Sequence, residues 1–118
     1  MALDTVADYI ARARGLLQDL VPPYRYPDAD LIGYLDEGIQ ESRGKRPDLW
    51  LAFLNGSLPS YASAGPTAAV AIDPMLRMAF VYYIAARAEL SDHEDVETQR
   101  AMLFMTKFTT MLVGGAVA

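Results

Sequence analysis

Apolar residues open the chain at alternating steps of three and four: Leu3, Val6, Ile10, Ala13, Leu17 and Leu20. That spacing lays one stripe along a helix, expected over about residues 4–20. Asp4 is the expected N-cap, because its side-chain oxygen can accept an orphan backbone N–H. Arg12, Arg14, Gln18 and Asp19 fall off the stripe and are expected in solvent. Pro22-Pro23 is expected to end the helix, since neither residue can donate and each restricts its predecessor. A short loop carrying Tyr24, Arg25 and Tyr26 leads to a second helix over about 29–43, with Asp28 as its N-cap and Pro27 just outside. Leu31, Leu35, Ile39 and Ser42 share one face of it. Gly33 and Gly38 each weaken this helix by up to about 1 kcal/mol relative to Ala. A bulky neighbour lying close to one of them is the expected compensation. Gly44 is the expected stop.

The next stretch, Arg46-Pro47-Asp48-Leu49-Trp50, suits a short helical turn over about 47–54, with Pro47 in its first turn and Leu49, Trp50, Phe53 and Leu54 entering the core. Residues 55–71 are irregular, with Gly56, Pro59, Gly65 and Pro66 among small residues. A short strand over 67–72 is the one regular element considered there. Asp73-Pro74 is a strong start for a third helix running to about Leu90. Its middle, Met78 to Ala86, is apolar on every side, which places it at the centre of a bundle or at an interface. Ser91-Asp92-His93-Glu94 reads as a capping box opening a fourth helix to about Leu112. Val96, Gln99, Leu103, Met111 and Leu112 mark its expected face, with Phe104 and Phe108 beside it, and Gly114-Gly115 ends it. The fold class is therefore all-α. One four-helix bundle-like domain spans residues 1–118, with a short extra helical turn and a long irregular loop between helices 2 and 3.

Composition narrows the function. The 118 residues include no Cys, which excludes disulfides, thiolate metal sites and cysteine nucleophiles. Hydrophobic residues make up 53%, and part of that surplus is expected against other subunits. A net charge of −5 argues against tight binding to a phosphate backbone. It suits a surface that DNA slides past without sticking. The first residues lack the basic-then-apolar pattern of a signal peptide. The longest apolar run is far short of the ~20 residues of a membrane span, so a soluble protein made in the cytoplasm is expected.

Motifs that carry chemistry are scarce. His93 sits among acidic residues at an expected helix start, where those acids favour the helix dipole and the histidine has no recognisable catalytic partner. Asp36, Glu37 and Glu41 on helix 2 and Glu94, Asp95 and Glu97 on helix 4 imitate the carboxylates of all-helical, magnesium-dependent nucleotide pyrophosphohydrolases. However, the expected second Glu of the first cluster falls at Gln40, and a solvated acidic face is the preferred reading. No EF-hand, Walker or dinucleotide glycine pattern occurs. Tyr24, Tyr26, Tyr34, Trp50, Phe53, Tyr82 and Tyr83 are read as core rather than as a base-stacking surface. Met102, Met105 and Met111 suit either core packing or an adaptable partner surface. No cofactor or metal is expected, and no catalytic activity.

Three segments taken in order carry a resemblance: residues 25–35 (RYPDADLIGYL), residues 45–50 (KRPDLW) and residues 82–92 (YYIAARAELSD), the last leading into a helix ending Leu112-Val113-Gly114. The pattern resembles the small head-to-tail adaptor, or connector, proteins of tailed bacteriophages, over nearly the whole chain. The loop 55–71, small and Ala/Ser-rich, is where family expectations transfer least. The resemblance implies a virion structural protein at the head-to-tail interface. About twelve copies would form a ring docked on the portal protein, with a tail protein below and DNA passing transiently through the centre. It also implies that the C-terminal segment, here Thr109, Thr110, Met111, Leu112, Val113, Gly114, Gly115, Ala116, Val117 and Ala118, extends as an arm onto the portal. Arg25 and Tyr26 are further candidate interface residues. Arg46 and Asp48 have two readings, a turn fixed by Pro47 with Asp48 bonding nearby backbone, or a subunit contact made by Arg46; the turn is preferred. The runner-up function is a helical protein-interaction module outside a virion, such as a regulator or antitoxin-like subunit.

Overall fold

A computed structural model describes residues 3–22, 24–48, 50, 60–62, 65, 68–70, 72, 76–91 and 98–114. Four helices account for most of them: α1 (Val6–Leu17), α2 (Asp28–Lys45), α3 (Arg77–Ser91) and α4 (Thr98–Gly114). The all-α bundle expected from periodicity is the observed fold. The apolar stripes explain it: Val6, Ile10, Ala13 and Leu17 of α1 and Leu31, Leu35, Ile39 and Ser42 of α2 are all buried. Helix α3, apolar on every side through its middle from Met78 to Ala86, packs against each of the other three. Phe80 and Tyr83 meet Phe108 of α4 edge-on, at ring-centroid distances of 5.8 and 4.9 Å. No described helix is long and apolar enough to cross a membrane.

The helix ends differ from expectation, and each difference has a partner elsewhere in the fold. Asp4 is not the cap of α1. Thr5 occupies that position, and the Asp8 carboxylate accepts the N–H groups of Thr5 (3.1 Å) and Asp4 (3.2 Å). Those bonds hold the Asp8 carboxyl below its ordinary pKa, the Thr5 N–H first among the causes. The side chain of Asp4 reaches instead to Arg77 of α3, at 2.7 Å. Helix α1 stops before the prolines, because Gln18 turns left-handed (φ 58°, ψ 38°) and its N–H bonds back to Gly15. Pro27, not Asp28, is the N-cap position of α2, and Asp28 is its first helical residue. Gly44 does not stop α2, which continues to Lys45 with Arg46 as C-cap.

Gly38 supplies the expected close approach. A Cβ there would lie 3.0 Å from Tyr83 Cδ1, 3.2 Å from its Cγ and 3.4 Å from Phe80 Cδ1, whereas one at Gly33 would meet nothing within 4 Å. Pro47, Asp48 and Trp50 form a 3-10 turn, and Trp50 is buried, its Nε1–H donating to Ser42 Oγ at 2.8 Å. The rest of the expected turn, including Leu49, Phe53 and Leu54, lies outside the described residues. Of the expected strand, one antiparallel bridge between Thr5 and Ala69 is present. It is made by the Val6 N–H to Ala68 C=O (3.0 Å) and the Val70 N–H to Asp4 C=O (2.9 Å). The partner of this segment is the start of a helix, so no ladder can propagate from it. Ser91, expected to open the fourth helix, is the last residue of α3. The rest of that capping box, Asp92 to Glu94 with His93, and the expected helix start at Asp73-Pro74 lie outside the described residues. On α4, Phe104, Phe108 and Leu112 face the core, but Leu103 is exposed. Leu103 lies on the outer side with Met102, because Ala101, Phe104 and Phe108 define the buried face.

Candidate interaction site

Three places gather polar side chains. The first is the corner between α1 and α2. Arg14 and Asp19, expected in solvent, are 5% and 8% exposed. The guanidinium donates to Asp19 at 2.7 Å and also pairs with Asp28. It lies 3.8 Å from the ring centre of Tyr24. Asp19 in turn accepts the backbone N–H groups of Arg25 (2.8 Å) and Tyr26 (3.1 Å). Two candidate interface residues thus belong, through their backbone, to the brace that sets the α1–α2 loop. Asp19 satisfies three donors at once, which is the condition for keeping a carboxylate out of water.

The second is the turn after α2. Arg46 donates from Nε and Nη2 to the two Asp48 oxygens, at 2.9 and 2.7 Å, a forked pairing. That pairing lowers the Asp48 pKa and raises that of Arg46. Asp48 therefore takes the guanidinium as its principal partner, where backbone had been expected. The remaining Nη1 of Arg46 donates to the Leu112 carbonyl at 2.7 Å, so the guanidinium clasps the last turn of α4. All three of these guanidinium nitrogens are thus engaged within the chain.

The C-terminal candidates divide at Gly114. Thr109 to Gly114 continue α4 instead of leaving it as an arm. Leu112 is fully buried, Thr109 and Met111 are half-buried, and Thr110 and Val113 are exposed. Gly115, Ala116, Val117 and Ala118 lie outside the described residues. Met102, Leu103 and Val113 leave large apolar side chains in solvent on the outer face of α4.

The third place is a groove between α2 and α3, of about 640 Å³, lined by Glu37, Gln40, Glu41, Gly44, Tyr83 and Arg87. The four α2 residues sit at helical steps of three and four, on one face. Arg87 donates to Glu37 at 3.1 Å, and its guanidinium carbon lies 5.8 Å from the Tyr34 ring centre. Burial, followed by the charge of Glu41, pushes the Tyr83 phenol up to about 12. Nearby, Asp36 accepts from Ser60 Oγ (3.1 Å) and from the N–H groups of Tyr61 (2.8 Å) and Ala62 (3.2 Å), fastening the long loop to α2. Two carboxylates of the first acidic cluster are therefore occupied, by an arginine and by the loop backbone. Glu94, Asp95 and Glu97 lie outside the described residues. Among the described residues no group of three potential ligands could hold a metal ion.

Sequence reasoning missed the buried Arg14–Asp19 pair and a second one, Glu89, 2% exposed and joined to Arg100 of α4. An alternation signal cannot find either, because a charge that falls beside a stripe is buried only when a partner helix covers it. No family model matches the chain, and no curated protein or solved structure matches it either.

Proposed function

We propose that the protein is a virion structural protein joining the portal vertex of a tailed bacteriophage to its tail. It would act as one subunit of a ring of about twelve copies through which DNA passes. The observation that carries the reading is the outer face of α4. Met102, Leu103 and Val113 stand exposed on the helix that leads into the segment expected to reach the portal. Large apolar side chains clustered in solvent are characteristic of protein contacts. A head-to-tail contact closes into a ring when its rotation allows. The order of the three motif segments supports the same reading, as does the net charge of −5, which suits a channel that DNA crosses without being held. Occupation of Asp36 and Glu37 within the chain supports a structural rather than a hydrolytic role.

The test is electron microscopy of the protein mixed with the portal protein encoded beside it. The expected result is a ring of added density below the portal, abolished by Leu103→Glu and weakened by truncation after Gly114. Removing all of residues 109–118 would mislead, because Leu112 belongs to the core. Bare portals at high protein concentration would overturn the adaptor reading. They would favour the second one, an interaction module outside a virion, for which the same exposed face serves a different partner.

A further inference from the structure

The groove between α2 and α3 combines features that a merely solvated acidic face lacks. Tyr83 is 5% exposed, yet it lines the groove and no described residue hydrogen-bonds its hydroxyl. Gly38 makes this placement feasible, because the root of the Tyr83 ring lies against α2 where a Cβ would stand. Burial, and after it the charge of Glu41, opposes ionisation of the phenol, so it remains a neutral hydroxyl, able to donate or accept. Glu37 is compensated by Arg87, whereas Glu41 is exposed and forms no ion pair among the described residues. The groove thus carries one uncompensated negative charge beside the unpartnered hydroxyl of a buried tyrosine and the Gln40 amide.

We infer that this groove is a docking site for an arginine side chain presented by a partner protein, held by Glu41, the Tyr83 hydroxyl and Gln40. Charge disfavours an anionic occupant, since two carboxylates and one guanidinium line the walls and Glu41 is left in excess. A magnesium ion would need several free oxygen ligands in near-octahedral array, and Glu37 is already engaged. A guanidinium fits better than an ammonium, because its fixed fork of donors matches acceptors spread over a carboxylate, a hydroxyl and an amide. One guanidinium already lines the groove, that of Arg87, which donates to the Glu37 carboxylate. The groove is open beside Gly44, an exposed residue where a Cβ would meet nothing within 4 Å, so a side chain carried on another surface can enter from solvent. The site does not depend on the adaptor reading, because any partner with a projecting arginine satisfies it.

The test uses the full chain and amide NMR, titrated with arginine blocked at both ends (N-acetyl, N-methylamide). Saturable shifts are expected at Gln40, Glu41 and Gly44, in the millimolar range. The equally blocked norleucine should give none, and the blocked lysine should bind more weakly. Glu41→Gln, an exposed change that leaves packing intact, should weaken binding about fivefold, as for a partly solvated ion pair. Gly44→Leu should abolish it by filling the open space beside Gly44 without altering charge. Absence of saturable shifts, or binding unchanged in both variants, would overturn the proposal. Tighter binding of free than of blocked arginine would overturn its assignment to a partner protein and make the site one for a small molecule.

Discussion

Gly38 and Gly33 sit in the same helix with opposite surroundings, and they give the sharpest residue-level test of the packing. A methyl group at Gly38 would press on Tyr83 Cγ and Cδ1, atoms at the root of a ring that Phe108 holds from another side, so the ring cannot swing away. Gly38→Ala is expected to destabilise the protein by about 1–2 kcal/mol, overpacking exceeding the gain in helix propensity. Gly33→Ala should stabilise it by up to about 1 kcal/mol, since nothing opposes the added methyl. Urea unfolding midpoints of the two variants, moving in opposite directions, would check both. That a glycine in α2 needed a bulky neighbour was legible from helix propensity alone. Which glycine, and that the neighbour is Tyr83, was not, because α3 is apolar all round and its periodicity names no facing side.

At the scale of elements, the helices were legible and their ends were not. Stripes at three-and-four spacing survive into the fold because burial of a face is the dominant local requirement. The capping signals were diverted by longer-range charge: Asp4 serves Arg77 and Asp28 serves Arg14, which leaves Thr5 and Pro27 in the cap positions. Arg14→Ala is expected to destabilise the α1–α2 corner by about 3 kcal/mol, because Asp19 stays buried with its cationic partner gone. A double-mutant cycle with Asp19→Asn, followed by denaturant unfolding, should return a clear coupling. The Asp8 carboxylate at the start of α1 gives a pH signature. Its folded-state pKa lies below the unfolded value of about 3.9, so its contribution is complete above that pH and is lost as pH falls through the folded value. The fall in unfolding midpoint between about pH 5 and about pH 2 should therefore be steeper in the native protein than in Asp8→Asn. Equal slopes would remove the backbone bonds to Asp8 as a source of acid sensitivity.

For the whole molecule, the contact that joins distant parts of the chain most economically is Arg46, which links the turn after α2 to the last turn of α4. Arg46→Ala should speed hydrogen exchange in the amides of residues 111–114 while leaving those at the middle of α3 unchanged. Protection that stays the same at the end of α4 would show that packing of Leu112 alone secures it. The groove between α2 and α3 was half legible: residues 37, 40, 41 and 44 share a helical face, but nothing local shows that Tyr83 and Arg87 oppose it. Consecutive helices usually become neighbours, but chain order does not say which face of α3 turns toward α2.

Helix α3 touches every other helix, and this bears on how the molecule comes apart. If α1, α2 or α4 peels away, a largely apolar wall of Ala, Ile, Phe and Val in the middle of α3 meets water. An opened form of that kind is penalised at once and is sticky toward its own kind. Partial opening is thus no resting place, and the bundle should behave as a single foldon whose slowest-exchanging amides all lie in α3 and whose transition is all-or-none by every probe.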